Sequence, residues 1–360
     1  MIVVIEICYA RVGINAARCI MAIHPFPLGA QRIIYFLSLR LNEHIASKEN
    51  HMQPLQDNYG RRFNGLRISV TQRCNLECPH CHREGQIAAA IEMTPDEIAG
   101  IVSVAASLGA KKVKITGGEP LLREDIGDIV SRIKLHVQEV SLTTNGILLA
   151  DCAQKLKRSG LDRINVSLHS LTSDCLEKIA GRDYLDDVKA GLVTADAAGL
   201  KPIKLNMVVL KGINDSEILS MMKFASEIDA TLQLIELASD KSGCDDEFFQ
   251  KHYFPLGALE DSFKIKASNI SYNDLHRRAQ YLMAENGRSV KVEVVRSMHN
   301  SSFCAHCTRL RLTSDGKLKG CLYQNGSSAD VLTALRSGSD NEAIAAFFIG
   351  AMKERKPYWN

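Results

Sequence analysis

Three cysteines within eight residues constrain this chain more than any other feature of its sequence. Cys74, Cys78 and Cys81 have the spacing C-x3-C-x2-C, so one short loop can direct three thiolates at a single centre. Thiolates are the soft ligands that iron–sulfur clusters select. Three ligands leave the fourth iron of a four-iron cluster open to a small molecule. A structural zinc site is the alternative, because His80 or His82 would complete a tetrahedral set of four ligands.

A second group of cysteines lies near the carboxyl end of the chain. Cys304 and Cys307 form a C-x2-C pair, and a Ser-Asp-Gly-Lys turn further along predicts a hairpin that returns Cys321 to this pair. The second site therefore also has three thiolates. With His299 or His306 as a fourth ligand it matches the pattern of a zinc ribbon, so zinc is the alternative to a second iron–sulfur cluster.

The composition is that of an ordinary globular protein from a reducing compartment. The 360 residues are 46% hydrophobic and 24% charged. A formal charge of +3 is too balanced for a nucleic-acid binder that relies on bulk positive charge. The eleven cysteines cluster by spacing, which indicates metal ligation rather than a disulfide framework. We therefore expect a cytoplasmic protein that does not bind nucleic acid.

The first 51 residues differ from the rest of the chain. They are rich in apolar residues but interrupted by charges, and no uncharged run reaches the roughly eighteen residues that a membrane span needs. We interpret residues 1–51 as an N-terminal extension without a motif, and Met52 as a candidate start of translation. An amphipathic peripheral segment is the alternative for this region. Neither interpretation predicts a segment that crosses a membrane.

Short apolar runs alternate with helical stretches from residue 66 onward. The predicted strands, each followed by a helical segment, are residues 66–71, 112–116, 139–144, 163–168, 203–209 and 232–237. Several of them read as apolar on both faces, which is typical of parallel strands covered by helices. Six β-then-α units predict a parallel α/β sheet with right-handed crossovers. We predict a partial (βα)6 TIM-like barrel over residues 52–268, because cysteines follow the first strand where an open doubly wound sheet would carry a phosphate-binding loop.

The alternation of strands and helices stops near residue 269. Residues 272–285 are predicted to be helical and residues 290–295 to form a strand, and both precede the second cysteine motif. We therefore assign residues 269–360 to a C-terminal domain that extends the barrel and carries the second site.

The sequence is similar to the radical S-adenosylmethionine (SAM) superfamily, in which a C-x3-C-x2-C loop follows the first strand of a partial barrel. More specifically it resembles the GTP 3′,8-cyclase family of molybdenum cofactor biosynthesis, and the run from His82 to Gly85 suggests the archaeal-type branch. The similar runs lie at residues 57–62, 66–71, 116–120, 142–146, 165–168 and 304–321. Together they extend the resemblance over about residues 52–358.

The resemblance implies a lyase that uses SAM and two [4Fe-4S] clusters. In this family the open iron of one cluster chelates SAM, and SAM cleavage gives a radical that abstracts a ribose hydrogen from GTP. The sugar radical then attacks C8 of guanine, and the product is 3′,8-cyclo-7,8-dihydro-GTP. The implied partners are GTP, an external low-potential electron donor of the flavodoxin or ferredoxin type, and a downstream cyclic pyranopterin monophosphate synthase. The oligomeric state is left open, with a homodimer as one option.

The resemblance also assigns roles to residues that match the family's motifs. The expected ligands of the first cluster are Cys74, Cys78 and Cys81, and those of the second are Cys304, Cys307 and Cys321. The residues expected to contact SAM are Gly118, Glu119, Ser167 and His80. The residues expected to bind GTP are Arg67, Lys114, Thr143, Lys204, Arg309, Leu310 and Arg311. Five of these last seven are cationic, which suits a triphosphate.

Three positions depart from the family's pattern. His80 stands where the residue before the third cysteine is often aromatic, and Ala238 stands where many members have a methionine that lines the cofactor pocket. The chain ends at residues 357–360 without the Gly-Gly tail of many bacterial members. We assign no role to Ala238 and leave the consequence of the different tail open.

Two other functions are alternatives to this interpretation. One is a radical enzyme that modifies a peptide, although the second cluster domain of such enzymes usually carries more cysteines than this chain offers. The other is a non-catalytic zinc-binding module, against which the two sites with an open ligand position argue.

Overall fold

The structure is a computed structural model that describes residues 55–86, 91–239, 246–285, 287–298, 300–323 and 328–356. The chain divides into two units, Met1–His51 and Met52–Asn360. The first unit lies outside the described residues, as do His299 and the tail at 357–360, and the predictions made for them stay predictions.

Twelve strands occur in the described residues. They are β1 Gly65–Ser69, β2 Lys112–Thr116, β3 Glu139–Thr144, β4 Arg163–Ser167, β5 Lys204–Val209, β6 Thr231–Glu236, β7 Asn269–Tyr272, β8 Ala279–Glu285, β9 Arg288–Val295, β10 Arg309–Leu312, β11 Lys317–Lys319 and β12 Ser328–Asp330. All six predicted barrel strands are present, with ends shifted by no more than a few residues. They form one sheet in the order β12-β11-β10-β1-β2-β3-β4-β5-β6-β9-β8-β7.

The helices of the described residues follow the strands along the chain. They are α1 Pro95–Ser107, α2 Ile126–Lys134, α3 Leu149–Arg158, α4 Ser173–Ala180, α5 Leu185–Ala197, α6 Ile218–Glu227, α7 Glu247–His252, α8 Gly257–Lys266, α9 Ser301–Ala305, α10 Val331–Arg336 and α11 Asn341–Lys353. In the described part of the chain, none of them combines the length and the apolar character that crossing a membrane requires.

The strand order identifies the barrel. Strands β1 to β6 lie side by side in chain order and are parallel throughout. A doubly wound sheet reverses its order at a switch point, so that alternative is excluded. Strands β10 and β9 add one parallel strand at either edge of this row, and antiparallel hairpins follow on both sides. The fold is therefore the predicted partial barrel of six βα units with a C-terminal extension, and the extension continues the same sheet.

Local sequence signals set the start of α1. The Thr94 hydroxyl accepts a hydrogen bond from the Glu97 amide at 3.3 Å, and the Glu97 carboxylate accepts one from the Thr94 amide at 2.8 Å. Pro95 occupies the first turn, where a missing amide proton has no cost. A capping arrangement of this kind stabilises a helix by about 0.5–2 kcal/mol.

The barrel strands have one apolar and one polar face, which corrects the prediction that several are apolar on both. In β4, Ile164 and Val166 are fully buried in the core, whereas Arg163, Asn165 and Ser167 line a central cavity. Successive side chains of a strand point to opposite faces. Helices cover only the outer face, and the curved inner face encloses a polar space.

The helix predicted for residues 272–285 is wrong. This segment contains the end of β7 and all of β8, which pair antiparallel with each other, and β8 also pairs with β9. Tyr281 and Met283 are buried at alternate positions, which is the two-residue period of a strand rather than that of a helix. The strand predicted at residues 290–295 is confirmed as part of β9.

Candidate active site

A cavity of about 400 Å³ opens on the inner face of the barrel, toward the carboxyl ends of its strands. Its lining contains the cysteines of both motifs. Every predicted site residue contributes to this lining except Glu119 and Leu310. The structure thus brings together two cysteine motifs that are more than two hundred residues apart in the sequence.

The first three cysteines lie on the loop that follows β1. The Cys81 amide donates a hydrogen bond to the Cys78 carbonyl at 3.1 Å, and the Arg83 amide donates to the Cys81 sulfur at 3.4 Å. Burial raises the pKa of Cys78 to about 12 and also raises the pKa of Cys74 and Cys81. The thiolate forms that bind a metal therefore need a positive centre beside them. Three thiols on one turn fit the three-cysteine ligation of a four-iron cluster.

Residues from both ends of the described chain donate hydrogen bonds to the backbone of the second cysteine motif. Cys304 lies in α9, and its carbonyl accepts a hydrogen bond from the Cys307 amide at 3.1 Å. The β10–β11 hairpin, as predicted, precedes Cys321, which lines the same cavity. Arg61 donates to the Cys304 carbonyl at 3.3 Å and Arg355 to the Cys307 carbonyl at 2.7 Å. Across the described residues, no three His, Cys, Asp or Glu side chains are grouped closely enough to hold a single metal ion.

Two glycines after β2 pack against the start of the first cysteine loop. A Cβ atom on Gly118 would lie 2.3 Å from the Arg73 carbonyl oxygen, and one on Gly117 would lie 2.5 Å from that of Thr71. Only glycine permits so close an approach of two backbone segments. Gly118 also lines the cavity, and its predicted contact with SAM stays a prediction.

Glu119 is fully buried and does not line the cavity. Its carboxylate accepts hydrogen bonds from the Asn145 amide at 2.7 Å, the Thr144 hydroxyl at 2.8 Å and the Leu121 amide at 2.9 Å. Burial raises the pKa of Glu119 to about 7, although these three donors favour the ionised form. In this conformation the side chain joins the end of β2 to the end of β3, and its predicted contact with SAM stays a prediction.

The remaining predicted residues differ in how they meet the cavity. The ring of His80 packs edge to face on His169, with ring centres 4.7 Å apart, and burial lowers the pKa of His80 well below its usual value. His80 is therefore neutral at physiological pH. Ser167 and Ala238 also line the cavity. Leu310 is buried in the apolar core, so only its backbone lies near the cavity-lining residues on either side of it.

Positive charge dominates the cavity. Ten of the lining residues are Lys or Arg and two are Glu, which favours an anionic ligand. Lys114 and Arg309 have no carboxylate partner among the described residues. Burial lowers the pKa of Lys114 well below its usual value, and the nearby cations Arg163 and Arg67 lower it further. Burial also lowers the pKa of Arg309. A bound anion would relieve the repulsion among these groups.

Two buried carboxylates hold other cations of the site. Glu84 accepts hydrogen bonds from Arg67 and, at 2.7 Å, from Arg311. Burial alone would raise the pKa of Glu84, but these two guanidinium groups hold it well below its usual value. Glu293 is fully buried on β9 and accepts a hydrogen bond from Lys204, and the pKa of Glu293 is about 2 because such cations outweigh its burial.

Several polar residues of the site were missed in the sequence. Arg163 lies two residues before Asn165 and four before Ser167. Because side chains alternate between the two faces of a strand, the position of Ser167 on β4 could have predicted that Arg163 faces the same site. Arg278 also lines the cavity and lies 3.5 Å from Glu293. No signal pointed to Arg278, because its segment was predicted to be helical.

Comparison with known proteins identifies the family of this chain. Residues 68–225 match the model of the radical SAM superfamily, and residues 230–360 match that of Molybdenum Cofactor Synthesis C. Fold and site therefore define a radical SAM enzyme. A protein of Pyrococcus horikoshii named Probable GTP 3′,8-cyclase is 48% identical over 85% of this chain and 98% of its own. One of the same name from Methanosarcina acetivorans is 44% identical over 87% of this chain and 92% of its own. The chain belongs to the GTP 3′,8-cyclase family of molybdenum cofactor biosynthesis.

Solved structures share the fold at low sequence identity. SuiB of Streptococcus suis has a TM-score of 0.58 and 16% identity, over 90% of this chain and 72% of its own. The structure of SuiB bound to S-adenosylmethionine gives a TM-score of 0.58 at 17% identity, over 87% of this chain and 72% of that one. These likenesses confirm the predicted fold of the radical SAM type.

Proposed function

We propose that this chain cyclises GTP to 3′,8-cyclo-7,8-dihydro-GTP, with SAM and two [4Fe-4S] clusters. The observation that carries the proposal is the single cavity, which is lined by both cysteine triplets and by a large excess of Lys and Arg side chains. A triphosphate is the kind of ligand that such a charge excess attracts. Two clusters facing one cavity would enclose the nucleotide between them.

The first three cysteines hold the cluster that binds SAM. When bound, this cluster and SAM supply the electron transfer and the hydrogen-abstracting radical. Cys74, Cys78 and Cys81 leave one iron open, and the backbone at Gly118 and the Ser167 hydroxyl lie in the lining that would orient SAM. Cys304, Cys307 and Cys321 would hold the second cluster in the same way, and an iron without a protein ligand would be free to bind the substrate.

The cations of the inner face bind the triphosphate. No carboxylate among the described residues pairs with Lys114 or Arg309, so a phosphate group would be the anionic partner that stabilises their charged forms. Arg67 and Arg311 add guanidinium donors, which suit phosphate geometry. Lys204 completes the set from β5, and each such contact is a charge-assisted hydrogen bond. Thr143 and the backbone of Leu310 belong to the same proposed GTP site.

The reaction consumes electrons that an external donor must supply. We assign this role to a low-potential protein of the flavodoxin or ferredoxin type. The product would pass to a cyclic pyranopterin monophosphate synthase. The oligomeric state stays open, with a homodimer as one option.

The position of hydrogen abstraction tests the proposed reaction. With GTP that carries deuterium at C3′, we expect 5′-deoxyadenosine to gain deuterium, because closure between C3′ and C8 requires loss of the C3′ hydrogen. The cyclic product has lost this deuterium and gained one proton from solvent, so it should have the mass of unlabelled GTP, because cyclisation to the dihydro compound is an isomerisation. Mass spectrometry of both compounds after anaerobic turnover with dithionite measures this. GTP labelled at C5′ is the control, and label transfer from C5′ rather than C3′ would contradict the proposal.

Metal analysis tests the second cluster. We expect about eight irons per chain after anaerobic reconstitution, as two four-iron clusters require. Replacing Cys304, Cys307 and Cys321 together by serine should lower this to about four, while slow GTP-independent cleavage of SAM persists at the first site. Iron, sulfide and zinc are counted in the same samples. About four irons plus one zinc in the unmodified chain would instead establish a structural zinc site.

A further inference from the structure

Glu84 joins the first cysteine loop to two arginines of the proposed GTP site. It lies three residues after Cys81 and is 8% exposed. One carboxylate oxygen accepts hydrogen bonds from Arg67 and, at 3.1 Å, from the Thr116 hydroxyl. The other oxygen accepts one from Arg311 at 2.7 Å. The carboxylate therefore bridges β1, β2 and β10 at the point where these strands face the cavity.

The two arginines need a shared counter-charge because of the sheet register. Arg67 on β1 and Arg311 on β10 are direct cross-strand partners. Like charges opposite one another destabilise a pair of strands and push the side chains apart. Glu84 offsets that repulsion and draws one terminal nitrogen of each guanidinium to itself. Within the described residues the other terminal nitrogen of each guanidinium makes no side-chain hydrogen bond, and both side chains line the cavity.

The backbone around Glu84 is fixed to the second half of the chain. The Gly85 carbonyl accepts a hydrogen bond from Lys319 at 2.6 Å. The Gln86 side-chain oxygen accepts hydrogen bonds from the Ser314 amide at 3.0 Å and from its hydroxyl at 3.1 Å. Three consecutive residues after the first cysteine motif are therefore tied to β10, β11 or the turn between them.

The close fit of this loop leaves Glu84 little freedom. Arg83 and Glu84 have φ values of 46° and 54°, in the left-handed region that non-glycine residues rarely adopt. At Gly85 a Cβ atom would lie 2.7 Å from the carbonyl oxygen of Leu322, which directly follows Cys321. The strained conformation persists because the surrounding contacts hold it, as is common at functional sites.

We propose that Glu84 is a positioning residue, which aligns Arg67 and Arg311 for the triphosphate of the substrate and locks them to the first cysteine loop. The inference rests on the proposed function, because it takes these two arginines as GTP contacts. A single carboxylate would then fix the position of the triphosphate relative to the first cysteine loop.

A competing physical effect would act in the opposite direction. A carboxylate beside two arginines can also occupy the place of a phosphate, and its removal would then strengthen GTP binding. The sign of the change in affinity on neutralising Glu84 separates the two roles. If Glu84 positions the two arginines, neutralising it must lower the affinity for GTP.

The test compares Glu84→Gln, which removes the charge at constant size, with Glu84→Asp, which keeps the charge. Glu97→Gln is the matched control, because Glu97 holds Arg336 by two hydrogen bonds outside the cavity and a glutamine also serves in a capping box. Full-length reconstituted proteins are assayed anaerobically for dissociation constants of GTP and GMP, for KM and kcat, and for iron content.

We expect Glu84→Gln to weaken GTP binding about 10- to 100-fold, the loss expected from one charge-assisted contact. Binding of GMP should change much less, kcat at saturating GTP should be nearly retained, and Glu84→Asp should recover most of the affinity. Unchanged or tighter GTP binding in Glu84→Gln overturns the proposal. Equal losses of affinity, iron and thermal stability in both variants would show a structural role only, and this also overturns it. Failure of the unmodified protein to bind GTP would instead reject the proposed function.

Discussion

We expect replacement of Cys78 by serine to abolish the formation of 5′-deoxyadenosine from SAM. Three thiolates are the fewest that hold a four-iron cluster with one open iron, and a serine hydroxyl is a poor ligand for a site that selects soft donors. Cys78 lies at the centre of its motif, and its carbonyl also accepts the hydrogen bond from the Cys81 amide at 3.1 Å. Serine keeps that backbone contact, so the loss reports on ligation rather than on folding of the loop.

Cleavage of SAM is measured by chromatography after anaerobic reduction with dithionite. Cys152→Ser is the matched control, because Cys152 lies in α3, is half-buried and belongs to neither motif. It should retain full iron content and full cleavage. A Cys78→Ser protein that forms 5′-deoxyadenosine at the rate of the unmodified enzyme would remove the first motif from the active site.

Among substitutions in the proposed GTP site, we expect Arg309→Ala combined with Arg311→Ala to lower the affinity for GTP most. Both side chains lie on one face of β10, two residues apart, and both line the cavity. Two charge-assisted contacts worth about 1.5–3 kcal/mol each correspond to a loss of GTP affinity of about 100- to 10,000-fold. Binding of SAM and the iron content should stay unchanged, because neither arginine is a cluster ligand.

Equilibrium binding of GTP measures this loss, and salt dependence supports its electrostatic origin. Arg132→Ala is the control, since Arg132 is an exposed residue of α2 whose ion pairs with Asp96 and Asp128 lie on the surface. Its GTP affinity should equal that of the unmodified chain. Unchanged affinity in the double variant would take the basic pair out of the site and reopen a peptide as substrate.

Both cysteine motifs could be recognised without a structure because the cysteines of each lie close in sequence. Three cysteines in eight residues, or a C-x2-C pair followed by a hairpin, converge by local geometry alone. The six βα units could be predicted for a similar reason, since short apolar runs alternate with helical stretches along this part of the chain. The error at residues 272–285 arose where such a pattern is weak, because only Tyr281 and Met283 mark the buried face of β8.

The balance of charge in the cavity could not be predicted from local sequence patterns. Arg311 and Glu84 are 227 positions apart, and Lys204 and Glu293 are 89 apart, so no local pattern links either pair. Their carboxylates are isolated residues in the sequence, and an isolated Glu is most often a solvated surface group. Which cations are neutralised in the cavity and which stay available for an anion depends on these distant contacts.

Chain order and local spacing were thus enough to predict the barrel and the two cysteine triplets, and the resemblance of several motifs indicated the family. Short-range periodicity fixes which elements form, and the right-handed crossover rule fixes how parallel strands follow one another. The common cavity, the pairing of Arg67 with Arg311 and the role of Glu84 between them arise only when β10 returns to lie beside β1. Cross-strand register depends on the packing of the complete sheet, so these features have no counterpart in any short stretch of sequence.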